Sequence, residues 1–354
     1  MIRVGLVGYS LGGKVFHAPM ISAVDGLELA AVVERRTRNA EVEFPGITIY
    51  TSLEAMLQDE SIELVAISTP TPTHAPLAIQ ALQAGRNVVI DKPAGANSAE
   101  VAAMAAAARQ AGKLLIPYQN RRWDGDYRTL RKLLQEQKLG RVVSFTSTFG
   151  RWRPAPNRSL WRESGAEGSG ILLDLGTHQV DQALQLFGLP LGVTAFIAME
   201  RDNGVSIDSY ELHLRYPGLK AIVNGNNLTA IPVPRFSVRG TLGGFIKWGL
   251  DPQEAFLRAN PKFVDPGWGT EPASAWGTLT IDAGGNIITH PVVTLPGDYR
   301  LFYAAVRDAL LGKSAPPVVP AEAWRTARIL EWAEQSSAEH QEIPCDWTGE
   351  PDQD

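Results

Sequence analysis

A glycine-rich turn near the start of the chain constrains the fold more than any other feature of the sequence. Residues 3–7 form a short apolar run that predicts a buried strand, and Gly8-Tyr9-Ser10-Leu11-Gly12-Gly13 follows it directly. Residues from 14 to about 24 then predict a helix. Glycines permit a tight turn between strand and helix, and they let the first helical amides face a bound phosphate. The opening therefore predicts a parallel α/β domain with an anion-binding turn.

Alternating strands and helices continue to about residue 120. The next predicted strands are residues 29–33, 64–67, 88–90 and 114–117, and the predicted helices are 53–57, 75–84 and 98–111. Ser98 has the residue type of a helix N-cap. Strands separated by single helices imply right-handed crossovers and a parallel sheet covered on both faces. We therefore assign residues 1–120 to a dinucleotide-binding Rossmann domain.

The pattern changes after residue 120, where strands follow one another without intervening helices. A helix over residues 124–137 precedes strand candidates at 141–149, 193–199, 209–216, 221–224, 236–239 and 278–281. Further helices are predicted at 170–187, 299–311 and 321–334, with a long loop over 260–277. Consecutive strands favour an antiparallel or mixed sheet. The fold class is α/β, with residues 121–340 as a second, substrate-binding domain and 341–354 as an acidic C-terminal tail.

Composition excludes several classes of protein. The 354 residues are 44% apolar and 20% charged, as in a globular protein of two domains. A formal net charge of −5 with dispersed Lys and Arg gives no reason to expect a nucleic-acid partner. The single cysteine, Cys345, excludes an intrachain disulfide and a cysteine-based zinc site, and we expect no metal. Without a signal peptide pattern or a membrane-spanning run, the expected location is cytoplasmic, away from membranes.

The glycine turn resembles a dinucleotide fingerprint with one departure. Gly8 and Gly13 fit its first and third positions, and Ser10, followed by Leu11, stands where a second glycine is usual. The alternative is a glycine-rich turn without a binding role. Its position between the first strand and the first helix favours cofactor binding.

The end of the second strand carries conflicting signals about the cofactor. Glu34 lies about 20 residues beyond the last glycine, where a carboxylate can bond the ribose 2′-hydroxyl of NAD. Arg35 and Arg36 follow it, and either guanidinium could pair with the 2′-phosphate of NADP. Because of the two arginines, we slightly favour NADP over NAD as the cofactor.

Three residues could supply the chemistry of alcohol oxidation, which needs a proton acceptor and a group that steadies the developing alkoxide. Lys92 follows a strand in Asp91-Lys92-Pro93, at the carboxyl edge of the predicted sheet where ligands bind. Asp174 and His178 lie four residues apart, with Asp181 three further on, so a helix would project all three from one face. The aspartate could then orient the imidazole, which suits proton transfer near neutral pH.

Several motifs in fixed order give the chain a family resemblance. Gly8-x-Ser-x-x-Gly13, Thr69-Pro70, Asp91-Lys92-Pro93 and Asp174-x-x-x-His178 together resemble the Gfo/Idh/MocA oxidoreductases. Residues 15–19, 120–124, 161–163 and 173–182 are similar to the NADP-dependent scyllo-inositol dehydrogenase branch of that family. The likeness extends from residue 3 to about residue 336.

This resemblance implies a second domain with a large open, mostly antiparallel sheet that often mediates homodimers or homotetramers. It implies a catalytic set of Lys92, Asp174 and His178, with the histidine as base and the lysine either assisting proton transfer or polarising the oxygen. The remaining residues that it carries over are the cofactor contacts Thr69, Pro70, His74, Asp91 and Lys92, and the substrate contacts Asn120, Arg121, Trp161, Asp174 and His178. The family usually has glutamate where this chain has Asp91, and the shorter side chain bears on cofactor affinity.

The sequence therefore predicts an NAD(P)-dependent dehydrogenase acting on a hydroxyl carbon of a cyclic polyol, such as an inositol, or of a sugar. Two alternatives stay open. One is a glycosidase that uses NAD redox chemistry transiently, and the other is a dinucleotide-binding sensor without activity. For Trp152 and Trp161, packing in the core of the second domain competes with a role in the substrate pocket.

Overall fold

Two β-sheets in successive parts of the chain organise the molecule. The computed structural model describes residues 1–166, 168–260 and 267–352. The loop predicted over 260–277 lies partly outside these residues. Within the part described, Trp268 is buried and a 3₁₀ turn covers Ala273–Ala275.

The first sheet is parallel and accounts for the alternation in the sequence. Its strands are β1 (Ile2–Val7), β2 (Leu27–Val33), β3 (Thr48–Tyr50), β4 (Leu64–Ile67), β5 (Asn87–Ile90) and β6 (Leu115–Pro117). Their spatial order is β3-β2-β1-β4-β5-β6. The order reverses between β1 and β4, and open parallel sheets bind ligands outside the carboxyl ends of the strands at such a switch point.

Helices cover both faces of this sheet. They are α1 (Ala18–Ser22), α2 (Asn39–Glu43), α3 (Leu53–Leu57), α4 (His74–Gln83) and α5 (Ser98–Ala111). A π-helical turn, Gly13–His17, precedes α1. The prediction that Ser98 caps α5 is wrong, because the side chain of Asn97 accepts the hydrogen bond from the Glu100 amide. Neither α2 nor β3 was predicted, because both are too short to show a clear period.

The second sheet is mostly antiparallel, as predicted. Its strands are β7 (Val142–Gly150), β8 (Gly192–Ala198), β9 (Ser209–Tyr216), β10 (Leu219–Asn226), β11 (Pro234–Gly240), β12 (Gly243–Trp248), β13 (Gly277–Asp282), β14 (Ile287–Val292) and β15 (Ile343–Pro344). The spatial order is β14-β13-β12-β11-β7-β10-β9-β8-β15, and β7 and β10 pair in parallel. Strands β12, β14 and β15 were not predicted.

One face of this sheet is buried and the other is open. Along β9, Tyr210, Leu212, Leu214 and Tyr216 are buried, whereas Glu211 and Arg215, which alternate with them, are exposed. This alternation of period two is typical of an antiparallel sheet with one solvated face. The predicted half-exposed strand over 141–149 corresponds to β7 and follows the same rule.

Some helices of the second part cover the buried face of its sheet, and others pack against the first sheet. Helices α6 (Gly125–Gln135), α7 (Thr177–Phe187) and α10 (Pro320–Glu339) contribute to the core beneath the second sheet, whereas α8 (Gln253–Ala259) and α9 (Arg300–Leu310) pack into the core of the first sheet. A second π-helical turn, Leu172–Gly176, precedes α7. Because α10 contacts both α5 and β8, it joins the two halves. Since α10 packs on both halves, its contacts do not mark where one domain ends, and the domain boundary at residue 120 stays a prediction.

The acidic C-terminal segment is docked on the second part of the chain. Strand β15 pairs with β8, and the Trp347 ring packs edge-on against Trp332 with ring centroids 5.0 Å apart. Arg325 and Glu350 form a salt bridge at 2.5 Å. Among the described residues, no helix combines the length and apolarity that crossing a membrane requires.

Candidate active site

The glycine turn packs so closely against the loop after β4 and against itself that two of its positions accept only glycine. Gly8 has a φ of +94°, and a Cβ there would lie 2.5 Å from the carbonyl oxygen of Ser68. A Cβ on Gly13 would lie 2.0 Å from the Gly8 carbonyl oxygen. Ser10 and Leu11 are exposed between them, at the start of the first helix. The turn therefore brings backbone to the surface of the switch point, where a pyrophosphate can approach it.

Gly12 is a further requirement of the turn that the fingerprint did not single out. A Cβ at this position would lie 2.3 Å from Ser68 Oγ and 3.0 Å from Asp91 Oδ2. Ser68 follows β4 and Asp91 follows β5, so the turn lies directly over the ends of both strands. No sequence signal identifies this contact, because the sheet alone brings the three segments together.

Asp91 lies beneath the turn and is held by neighbouring groups. Ser68 Oγ donates to Asp91 Oδ2 and the Lys92 amide donates to Oδ1, both at 2.8 Å, and His17 Nε2 lies 3.5 Å from Oδ2. Burial opposes ionisation, but the nearby His17 and the charge of Lys92 hold the pKa of Asp91 well below its ordinary value. The shorter side chain is thus accommodated by contacts within the protein.

Glu34 points into the protein at the end of β2. Its carboxylate accepts hydrogen bonds from Thr37 Oγ1 at 2.6 Å, from the Asn39 amide at 3.2 Å and from the Ala40 amide at 2.8 Å. These amides begin α2, so Glu34 satisfies donors that the helix leaves free. Its predicted bond to a ribose hydroxyl therefore competes with a structural role.

Arg35 and Arg36 are exposed beside Glu34. Neither side chain forms a hydrogen bond or an ion pair with any residue that the structure describes. Two guanidinium groups with free donors at the end of β2 fit a phosphate on the adenosine ribose.

The segment after β4 is tied to the segment after β5 by a buried histidine. His74 Nε2 lies 2.8 Å from the Thr69 carbonyl oxygen, and His74 Nδ1 lies 2.9 Å from the Pro93 carbonyl oxygen. Thr73 Oγ1 donates to Thr69 Oγ1 at 2.7 Å. Pro70 is exposed at the tip of the loop. The histidine therefore links two walls of the cleft through their backbones.

Lys92 and Asp174 meet although 82 positions separate them. Lys92 Nζ donates to Asp174 Oδ1 and to the Asp174 carbonyl oxygen, both at 2.8 Å. Burial lowers the pKa of Lys92, and the neighbouring Asp174 carboxylate opposes that shift. Burial also disfavours the Asp174 carboxylate, but the cations of Lys92, Arg162 and Arg151 hold its pKa well below the ordinary value. The pair joins the first sheet to the π-helical turn before α7.

His178 lies near this pair but is not bonded to Asp174. Its side chain is buried, and Nδ1 has no hydrogen-bond partner among the described residues. Burial lowers the pKa of His178 well below its ordinary value, and the cations of Lys92 and Arg121 lower it further. The imidazole is therefore neutral near pH 7, which suits a proton acceptor.

The expectation that Asp174 orients His178 and shares a helical face with Asp181 is wrong. Asp174 lies in the π-helical turn Leu172–Gly176 and His178 lies in α7, and no hydrogen bond among the described residues joins their side chains. Asp174 turns to Lys92, whereas Asp181 forms a buried ion pair with Arg122 at 2.6 Å. Asp181 is therefore a structural residue.

The candidate substrate residues fall into different environments. Arg121 is buried, with Nη1 3.2 Å from Asp124 and Nη2 2.6 Å from Glu254, and its charge reaches His178. Asn120 is also buried. Trp161 is half-buried and near Thr71, because both flank Gly168.

Two cations at this site were not identified from the sequence. Arg162 Nε lies 3.0 Å from Asp174 Oδ1, and the charge of Arg151 also lowers the pKa of Asp174. The prediction that Trp152 packs in the core of the second domain is wrong, because this residue is 58% exposed. These residues belong to one long connection after β7, where sequence periodicity gives no information.

A parallel sheet of this strand order, with a glycine turn at its switch point, defines a dinucleotide-binding Rossmann domain. Residues 2–119 match the oxidoreductase family with an NAD-binding Rossmann fold, and residues 127–246 match the GFO/IDH/MocA C-terminal domain. The chain belongs to the Gfo/Idh/MocA oxidoreductase family.

Similar proteins match along nearly the full length of the chain. The uncharacterized oxidoreductase YdgJ of Escherichia coli is 39% identical over 97% of this chain and 98% of that protein. The scyllo-inositol 2-dehydrogenase (NADP(+)) IolW of Bacillus subtilis is 35% identical over 97% of this chain and 95% of that protein. The solved structure of the oxidoreductase yvaA of Bacillus subtilis superposes with a TM-score of 0.94, at 35% identity and 98% coverage of both chains. This chain is therefore an oxidoreductase with an NAD-binding Rossmann fold.

Proposed function

We propose that this oxidoreductase transfers hydride reversibly between NADP and a hydroxyl carbon of a cyclic polyol or sugar. The observation that carries the proposal is the bond between Lys92 Nζ and Asp174 at 2.8 Å, close to the neutral His178. Sequence order alone does not require these residues to meet. Their meeting beside the switch point supports the proposal, because the nicotinamide end of a dinucleotide would lie there, next to a donor and a proton acceptor.

The protein groups have separate tasks in this reaction. The Lys92 ammonium has three donors, and two are used by Asp174, so the third is available to the substrate oxygen. Asp174 keeps the ammonium charged and oriented. His178 accepts the hydroxyl proton while the carbon–hydrogen bond breaks and the carbonyl forms. When bound, the oxidised cofactor supplies the hydride acceptor, so two electrons leave the alcohol carbon with that hydrogen.

The geometry at the end of β2 supports NADP over NAD. Glu34 is occupied by the first turn of α2, while Arg35 and Arg36 keep their donors free of described residues. A guanidinium can hold a 2′-phosphate with charge-assisted hydrogen bonds. The similarity to IolW, whose name specifies NADP(+), agrees with this assignment. The same similarity motivates inositols as the first substrates to test.

The experiment is a kinetic survey of the purified protein with inositols and aldoses, using NADP⁺ and NAD⁺ in parallel and following nicotinamide absorbance. We expect turnover with at least one polyol or sugar and a higher kcat/KM with NADP⁺. Lys92→Met, which keeps the length of the side chain, should lose about 100-fold or more in kcat. Cofactor binding without turnover on any substrate would overturn the proposal. Glycoside cleavage without net cofactor reduction would replace it with the glycosidase alternative.

A further inference from the structure

A cationic segment, residues 151–163, follows β7 and contacts Asp174 of the Lys92–Asp174 pair through Arg162. Residues 151–163 contain four arginines and one carboxylate, Glu163, although the whole chain has a net charge of −5. Glu163 is already paired with Arg201 at 3.1 Å. The local excess of positive charge is therefore not neutralised within the segment.

Both ends of this segment are fixed near the cleft. At its start, the Arg151 amide donates to the Asn226 carbonyl oxygen at 2.9 Å, beside the carboxyl ends of β7 and β10. Beyond its end, a Cβ on Gly168 would lie 3.6 Å from Thr71 and 3.8 Å from Trp161. The segment thus reaches from the second sheet to the loop after β4, which borders the candidate cofactor site.

Arg162 makes one contact with the catalytic carboxylate and keeps other donors available. Its Nε lies 3.0 Å from Asp174 Oδ1, and its side chain is 48% exposed. Its two terminal nitrogens have no bond to any residue in the described part of the chain. A guanidinium offers five N–H donors, so Arg162 can hold Asp174 and an anionic ligand together.

Arg151 is a second cation with unused donors. Its side chain is half-buried and forms no hydrogen bond or salt bridge with a described residue. Burial lowers its pKa, and Asp174 and Glu254 are near enough to oppose that shift. Two cations already bond each of these carboxylates: Lys92 and Arg162 bond Asp174, whereas Arg121 and Arg258 bond Glu254. A cation held out of water without its own counter-ion favours binding of an anion.

We propose that Arg151 and Arg162 bind an anionic substituent of the substrate, a carboxylate or a phosphate. The enzyme then prefers a polyol or sugar that carries an acid group over its neutral counterpart. The inference rests on the proposed hydride transfer and names the substrate class of the same site. The guanidinium pair orients the substrate through the substituent, while Lys92 and His178 act on the hydroxyl.

The test compares matched substrates that differ in one anionic group. Glucose, glucuronate and glucose 6-phosphate form one series, and myo-inositol and its monophosphate form another. With wild-type enzyme and NADP⁺, we expect kcat/KM to be about 10- to 100-fold higher for one of the anionic classes, the effect of one or two charge-assisted hydrogen bonds. The series also tells carboxylate from phosphate. Added salt should reduce kcat/KM for the anion more than for the neutral compound.

Arg151→Gln should raise KM for the preferred anion about 10-fold or more and change kcat less than about three-fold. Arg162→Gln should raise KM and also lower kcat, since Arg162 contacts Asp174. Arg158→Gln is the matched control: Arg158 lies exposed in the same segment and donates to the Asn203 carbonyl oxygen at 2.5 Å. It removes the same charge and should leave both constants within about two-fold.

Three outcomes are distinct. Equal kcat/KM for neutral and anionic members of both series would overturn the inference and leave the proposed function intact. A rise in KM for NADP⁺ instead of substrate in Arg151→Gln would also overturn it, because the arginine would then serve the cofactor. No turnover in either series, with cofactor bound, would count against the proposed function itself.

Discussion

Replacing Asp174 with asparagine tests the part of the site on which the proposed chemistry depends. Asparagine keeps the shape and one oxygen of the side chain but removes the negative charge. The substitution leaves Lys92 and Arg162, which lie 2.8 Å and 3.0 Å from Asp174 Oδ1, without a full counter-charge. Because burial already lowers the pKa of Lys92, removing the opposing carboxylate lowers it further.

The size of the effect follows from the contacts. A hydrogen bond to a charged group contributes about 1.5–3 kcal/mol, so loss of the Lys92 contact predicts about a 10- to 100-fold fall in kcat/KM. Breaking a buried ion pair costs about 3–5 kcal/mol. The side chains of Lys92 and Asp174 retain 15% and 17% exposure, so we expect a loss of unfolding free energy near the lower end, about 3 kcal/mol.

The pH dependence gives a second, independent readout. Lys92 loses its proton as pH rises through its pKa, and activity that needs the ammonium falls over the same range. Since the substitution lowers that pKa, the alkaline fall of kcat/KM should begin at lower pH in Asp174→Asn than in the wild type. The measurement is steady-state oxidation followed by nicotinamide absorbance across pH, together with denaturant unfolding.

Asp181→Asn is the matched control for this experiment. Asp181 forms a buried ion pair with Arg122 at 2.6 Å, in α7, just beyond the same π-helical turn. Asp181→Asn should lower the unfolding free energy as Asp174→Asn does. Its kcat/KM per folded molecule should stay within about three-fold of the wild-type value. If Asp174→Asn showed the same pattern as Asp181→Asn, with an unmoved alkaline limb, the pair would be structural and our reasoning would be wrong.

Three further predictions concern the base and the cofactor. Burial lowers the pKa of His178 below the ordinary histidine value of about 6.5. The rate of substrate oxidation should therefore stay constant as pH falls through about 6.5 and decline only at the lower pKa of His178. A decline centred at about pH 6.5 would contradict this. Gly12→Ala places a Cβ 2.3 Å from Ser68 Oγ, which should distort the turn. The Kd for NADPH, measured by fluorescence titration, should therefore rise about 10-fold or more. An unchanged Kd would show that the turn can relax. The double substitution Arg35→Gln, Arg36→Gln should raise KM for NADPH about 10- to 100-fold and alter KM for NADH less than about three-fold. Equal changes in the two KM values would argue against binding of the 2′-phosphate by these arginines.

Local patterns in the sequence were sufficient for the regular elements. The predicted strand over 64–67 and the predicted helix over 98–111 agree with β4 and α5. Each has a long enough apolar run, or enough helix formers, to indicate its structure without tertiary contacts. Short or edge elements such as β3 and β14 lacked that signal, because their stability comes from the neighbouring strand with which they pair.

The sequence by itself determined the parallel sheet, the glycine turn and the candidate set of Lys92, Asp174 and His178, because residue type and spacing encode these locally. Tertiary structure decided which groups meet. It paired Asp174 with Lys92 and not with His178, and it directed Glu34 into the first turn of α2. It also brought Arg162 to the Asp174 carboxylate from a long connection. Contacts between distant segments depend on how the two sheets pack, and no local period in the sequence records that packing.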